Sequence, residues 1–99
     1  MARFDVYALK RGGALVVDCQ ADLLDGLKTR VVAPLIVESQ APKPARRLNP
    51  VFEIGGEHYV LMVQLLSAVE LRELGAKVVS LEEDGDTVLN ALDFLLTGV

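Results

Sequence analysis

The stretch Ser80-Leu-Glu-Glu-Asp-Gly-Asp-Thr-Val-Leu-Asn-Ala-Leu-Asp-Phe-Leu-Leu-Thr-Gly-Val99 is the strongest helical pattern in the chain. Val88, Leu92, Leu95 and Val99 recur at helical spacing, and Leu89 and Leu96 widen the apolar stripe. Ser80 with Glu83 three residues on has the form of a capping box. Glu82, Glu83, Asp84 and Asp86 crowd the N-terminal end, where the helix dipole favours negative charge. Gly85 costs about 1 kcal/mol relative to alanine in a first turn, so the start is ragged or lies nearer Asp84. Gly98 is placed to end the helix. A helix this apolar must bury one face, and the layered logic of domains gives it a sheet to lie on. Its tip, Thr97, Gly98 and Val99, is then either a packed lid or a presented end.

The chain of 99 residues is expected to make one domain with one modest core. Hydrophobic residues make up 52%, yet there is no Trp, with three Phe and two Tyr, so the core is aliphatic. More apolar side chain than a small sphere can bury hints at self-association. The net charge of −4 argues against indiscriminate phosphate binding, so no direct nucleic-acid binding is expected of the chain alone. Cations concentrate in the N-terminal half (Lys10, Arg11, Lys28, Arg30, Lys43, Arg46, Arg47) and acids in the C-terminal half, which suggests a basic face able to receive an acidic partner. A single cysteine, Cys19, excludes an internal disulfide, and no stretch has the length of a membrane span or the form of a signal peptide. The expected location is cytoplasmic, with no membrane partner.

Working back from the helix, Ala76 to Ser80 reads as a strand that feeds it. Arg3 to Leu9 alternates with Phe4, Val6 and Ala8 on one side, and Ala14 to Gln20 is its hairpin partner across the Lys10-Arg-Gly-Gly13 turn. Arg30 to Val37 is a third strand, which Pro34 assigns to an edge or a bulge because it lacks an amide donor. Glu38 to Asn49, with Pro42 and Pro44, is an exposed arm. Pro50 to Ile54 and Glu57 to Val63 form a second hairpin about Gly55-Gly56. Leu61 to Leu74 reads equally as an amphipathic helix or as strand and connection, and Gly75 ends it. Strands before one terminal helix predict a mostly antiparallel α+β domain or a small half-open barrel.

Catalytic signatures are weak. His58 is the lone histidine and sits beside a hairpin turn, the acidic cluster at 82–86 lacks calcium-loop spacing, and neither Gly-Gly pair belongs to a phosphate loop. Cys19 lies in an apolar strand, which favours a buried inert thiol. Neither a cofactor nor a metal is expected. Metal-free RNA cleavage by Arg30, Asp18, Thr29 and Arg11 remains as an enzymatic alternative, although those residues are more often plain surface polars.

Several segments, in order and at matching spacing, resemble the CcdB family of toxins across essentially the whole chain. They are Tyr7 to Arg11, Val17 to Asp25, Arg30 to Leu35, Leu48 to Val51, Ile54 to Glu57, Asn90-Ala-Leu92 and the Gly98-Val99 terminus. The resemblance implies a five-stranded antiparallel sheet with a small extra sheet and a C-terminal helix, related to the MazF barrel. Under it, Glu57 to about Leu66 is strand and the segment to Gly75 a connection. It further implies a homodimeric, non-enzymatic toxin of a toxin–antitoxin pair, associated with plasmid maintenance, that binds the DNA gyrase A subunit and traps it with cut DNA. The matching gyrase-binding positions are Leu23, Leu24, Asp93, Leu96, Thr97, Gly98 and Val99. A cognate antitoxin with a disordered C-terminal tail would dock on Lys10, Arg11, Gly12 and Gly13 and on Pro42, Lys43, Arg46 and Arg47, whose charge suits an acidic segment.

The chain departs from the family where a Phe-Trp pair precedes the final glycine; here stand Leu96-Thr97, with Asp93 at a family asparagine. A buried Trp anchor is often worth about 2 kcal/mol or more. Three readings therefore stay open: a gyrase poison, a diverged non-poisoning homologue that binds only the antitoxin, and a MazF-like endoribonuclease.

Overall fold

The computed structural model describes residues 2–45 and 47–98, and among them the chain forms seven strands and one α-helix. β1 (Asp5–Leu9) and β2 (Leu15–Asp18) make the predicted hairpin, with Tyr7 opposite Val16. β3 (Thr29–Val37) pairs with the far side of β2, Leu15 opposite Leu35. β4 (Val51–Ile54) and β5 (Glu57–Leu61) form the second hairpin. Gly55 and Gly56 turn it with φ of 60° and 84°. Two successive left-handed residues match a tight turn to the twist of its strands.

β6 (Ser67–Glu70) and β7 (Leu74–Ser80) follow, and α1 (Gly85–Thr97) completes the order. All pairings are antiparallel, in the order β4-β5-β3-β2-β1-β7, with β6 added to β3. The fold is thus α+β, a curled antiparallel half-barrel with a C-terminal helix. Instead of five strands and a separate small sheet, one sheet of seven strands branches at β3. Residues 29–32 of β3 pair with β6, and residues 35–37 pair with β5.

That branch corrects the reading of Pro34. β3 is central, not an edge. Pro34 falls between the two partners, and its carbonyl accepts the Met62 N–H at 2.9 Å. The donor it lacks is missing at the changeover, where neither ladder runs.

The segment after β5 also differs from the expectation. The strand ends at Leu61, not Leu66, and a 3-10 turn (Val63–Leu65) follows. What was expected to be a connection contains β6. Gly75 lies inside β7 and does not end the piece; a Cβ there would sit 2.6 Å from the Ala8 carbonyl oxygen, so the close approach of β1 requires glycine.

Alternation sorts the core onto two faces. Val6, Val17 and Ala33 pack with Val88, Ala91 and Leu92 of the helix, while Tyr7, Val16, Val32 and Leu74 form a second cluster. The helix enters through a 3-10 turn (Glu82–Asp84), and the Glu82 N–H donates to Ser80 Oγ at 3.1 Å. Ser80 closes that entry turn, so the predicted box with Glu83 is not made. The capping box among the described residues belongs to Glu70 and Glu73, around the turn Leu71–Glu73. Gly85 has a steric reason: a Cβ would lie 2.7 Å from the Phe4 ring. Gly98 ends the helix at φ 73°, its N–H donating to the Phe94 carbonyl at 3.0 Å.

Candidate functional site

Asp18 and Arg30 lie two residues along their strands from Val16 and Val32, so they share the face of the second cluster. Both are completely buried, with Arg30 Nη2 2.5 Å from Asp18 Oδ2. Asp18 also accepts the Gln20 N–H, and Gln20 in turn bridges to the Val31 N–H and the Leu24 carbonyl. This network ties the β2–β3 connection to the sheet. It removes the four groups weighed for RNA cleavage from any common accessible spot: Arg30 and Asp18 face the interior, Thr29 is exposed, and Arg11 sits in the β1–β2 turn.

Cys19 and Tyr7 are set by burial as well. Burial, with the Asp18 charge second, pushes the Cys19 thiol up to about 12, so it is protonated and unreactive near neutrality. Burial and then the Asp5 carboxylate raise the Tyr7 hydroxyl, which donates to Asp5 Oδ2 at 3.4 Å. His58 is exposed and 3.9 Å from Glu53 on the neighbouring strand. Among the described residues no three His, Cys, Asp or Glu side chains are grouped to hold a metal, and no helix is long and apolar enough to cross a membrane.

The positions matched to gyrase binding fall into two groups. Leu23 and Leu24 occupy a 3-10 turn (Asp22–Leu24), and Leu23 is 94% exposed. The Asp22 carboxylate accepts the Arg3 N–H at 2.7 Å, which pins this turn beside Phe4 and so near the start of α1. At the other end of the helix, Asp93, Leu96, Thr97 and Gly98 are exposed, Leu96 at 72%. The 13-residue helix that runs between the two groups is about 20 Å long. Thr97 turns back on its own helix, its Oγ1 donating to the Asp93 carbonyl at 2.6 Å. Val99 lies outside the described residues.

The positions matched to the antitoxin are also divided. Lys10 and Arg11 line a cleft of about 580 Å³ with Leu9, Glu70, Arg72 and Glu73. Two of these are acids, so the turn offers mixed charge in place of the uniformly basic face read from the sequence. Gly12 and Gly13 complete that turn at φ 85° and 72°. Pro42 and Lys43 are exposed on the arm, while Arg46 lies outside the described residues. Arg47 belongs to a different neighbourhood: with Pro50, Thr87 and Asn90 it lines a cleft of about 380 Å³ against the helix, and its guanidinium carbon is 4.6 Å from the Phe94 ring centroid.

Sequence reasoning missed three contacts that shape these surfaces: Arg3 with Asp22, Arg47 with Phe94, and the anchoring amide of Asn49. Only Asn49-Pro50 carried a local signal, as a pair favoured at turns.

What the geometry presents is a set of exposed apolar and charged tips on a half-barrel. The chain matches the family described as CcdB protein over residues 3–98. It belongs to the CcdB family, the toxins of toxin–antitoxin pairs.

Proposed function

We propose that the protein is a toxin that acts by contact with the DNA gyrase A subunit, trapping it with cleaved DNA, and that a cognate antitoxin with a disordered tail neutralises it. In this reading it works as a cytoplasmic homodimer of single-domain chains, without catalysis or cofactor. Support comes from the helix tip: Leu96 stands exposed at the end of a helix buried along one face, and an apolar side chain held out on a packed support suits a hot spot. Leu23 and Leu24 add a second apolar contact. Two-fold symmetry would present two such tips to a two-fold target. Lys10 to Gly13 and the arm from Pro42 to Arg47 are the antitoxin surfaces under this reading.

A second reading, a homologue that binds only the antitoxin, is favoured by Thr97. Its hydroxyl is engaged with Asp93, which leaves a methyl group where the family presents an indole. Calorimetric titration into the dimerisation fragment of the host gyrase A subunit separates the two. Saturable binding of one toxin dimer per gyrase dimer supports poisoning; absence of binding at high concentration sinks it. Thr97→Trp should strengthen binding about 30-fold if the absent anchor limits affinity. Unchanged affinity would show that Leu96 and the Leu23–Leu24 turn make the contact without it.

A further inference from the structure

The arm and the helix are joined by a contact between Arg47 and Phe94. Ala45 and Asn49 are tied by two hydrogen bonds: the Asn49 N–H donates to the Ala45 carbonyl at 2.9 Å, and the Ala45 N–H to Asn49 Oδ1 at 3.2 Å. The Asn49 end of this tie is fixed. Asn49 is buried, and its Nδ2 donates to the Leu61 carbonyl at 3.1 Å and to Gln64 Oε1 at 2.8 Å. Between the two, Arg47 holds φ at 67°, a left-handed conformation that residues other than glycine seldom adopt. Such a conformation persists where the surroundings over-determine it, and it clusters at functional positions.

The stack lies beyond the last fully buried residue of the helix, where the half-buried Leu95 still packs against the core. The buried residues of α1 are Gly85, Val88, Ala91 and Leu92. Beyond Leu92, Phe94 and Leu95 are half-buried, and Leu96, Thr97 and Gly98 are exposed. The Phe94 carbonyl accepts the Gly98 N–H that closes the helix, so what fixes Phe94 also fixes the last turn.

We propose that Arg47 is a positioning residue for the helix tip: its guanidinium clamps Phe94 and holds the last turn of α1, with the exposed Leu96, in one orientation. Its bearing on gyrase rests on the reading above. The clamp itself does not, because it is a property of the free chain.

Hydrogen exchange on the full chain tests it. An exposed cation over an aromatic face contributes a few-fold to an equilibrium, so Arg47→Gly should speed exchange of the Leu95 to Gly98 amides about 2- to 5-fold. Glycine keeps the left-handed backbone, and Val88 to Leu92 should exchange as before. Arg47→Lys should retain part of the protection, since it keeps a cation. Phe94→Leu should match Arg47→Gly, and the double variant should add nothing further, as two partners of one contact require. Unchanged exchange at Leu95 to Gly98 in Arg47→Gly, or fully additive effects in the double variant, would overturn the proposal. Titration with the gyrase fragment then reads the consequence separately. Weaker binding by Arg47→Gly supports clamp and target together, whereas altered exchange with no binding by either chain supports the clamp and refutes the target.

Discussion

Asp18 and Arg30 show how far one residue pair can be from its apparent role. In the sequence they are polar residues in strands; in the fold they are a fully buried ion pair. Arg30 Nε and Nη1 have no hydrogen-bond partner among the described residues, so the pair is incompletely satisfied. Breaking it from one side leaves a buried charge alone. Asp18→Asn should therefore lower stability by about 3–5 kcal/mol, read as a drop in the urea midpoint. A double change to Asp18→Leu with Arg30→Met should recover most of that loss, because well-packed apolar groups often replace such a pair at no cost. If the double variant is as unstable as Asp18→Asn, the pair contributes more than mutual compensation. Loss of function in Arg30→Ala would consequently report misfolding, not a lost catalyst. The burial of this pair was not legible, because period-two alternation tells which residues share a face but not whether a second layer covers that face. Here Val69 of β6 and Leu71 of the following turn pack against the cluster on that face.

At the scale of elements, the helix was legible and its entry was not. Its apolar spacing identifies the body from Val88 to Leu95, and Gly98 its end. The Ser80–Glu83 pattern fails because a 3-10 turn intervenes and Ser80 caps that turn instead. Gly85 illustrates a sign reversal. Intrinsic propensity favours Gly85→Ala by up to about 1 kcal/mol, but the new methyl would collide with the Phe4 ring. Phe4 is itself buried with φ at 74°, which restricts its retreat. Overpacking of this kind costs about 1–3 kcal/mol, so Gly85→Ala should be net destabilising in thermal or denaturant unfolding. A stabilised variant would mean that Phe4 yields easily. β6 escaped notice for another reason: Ser67 to Glu70 is short and largely exposed, and its partner lies more than thirty residues back in β3. Local pattern carries no trace of so distant a pairing. Pro34 misled for the same cause, since at the break between two partners of a central strand, as at an edge or a bulge, no ladder calls on the donor it lacks.

For the molecule as a whole, composition and strand order were enough to anticipate an antiparallel sheet under one helix, and the segment-by-segment likeness anticipated the family. The candidate surfaces were legible as a set of positions but not as an arrangement. Leu23 and Leu24 sit at one end of the helix and Leu96 at the other, while Arg47 was assigned to the arm although it reaches the helix. If the chain pairs as proposed, sedimentation equilibrium should return twice the 10.7 kDa chain mass. A monomer at micromolar concentration would contradict the two-fold arrangement of tips.

The pairing of β1 with β7 bears on how the protein comes into being. Asp5 lies opposite Ser80, so the first strand made finds one of its two neighbours among the last. At 5–20 residues per second, roughly 4–15 s of translation separate the two strands. Through that interval the half-barrel stays open along one side of β1, and the helix that follows β7 has no finished floor to settle on. Sheet and helix can therefore come together only once β7 has been made, and the edge of β1 is the last of these seams to close.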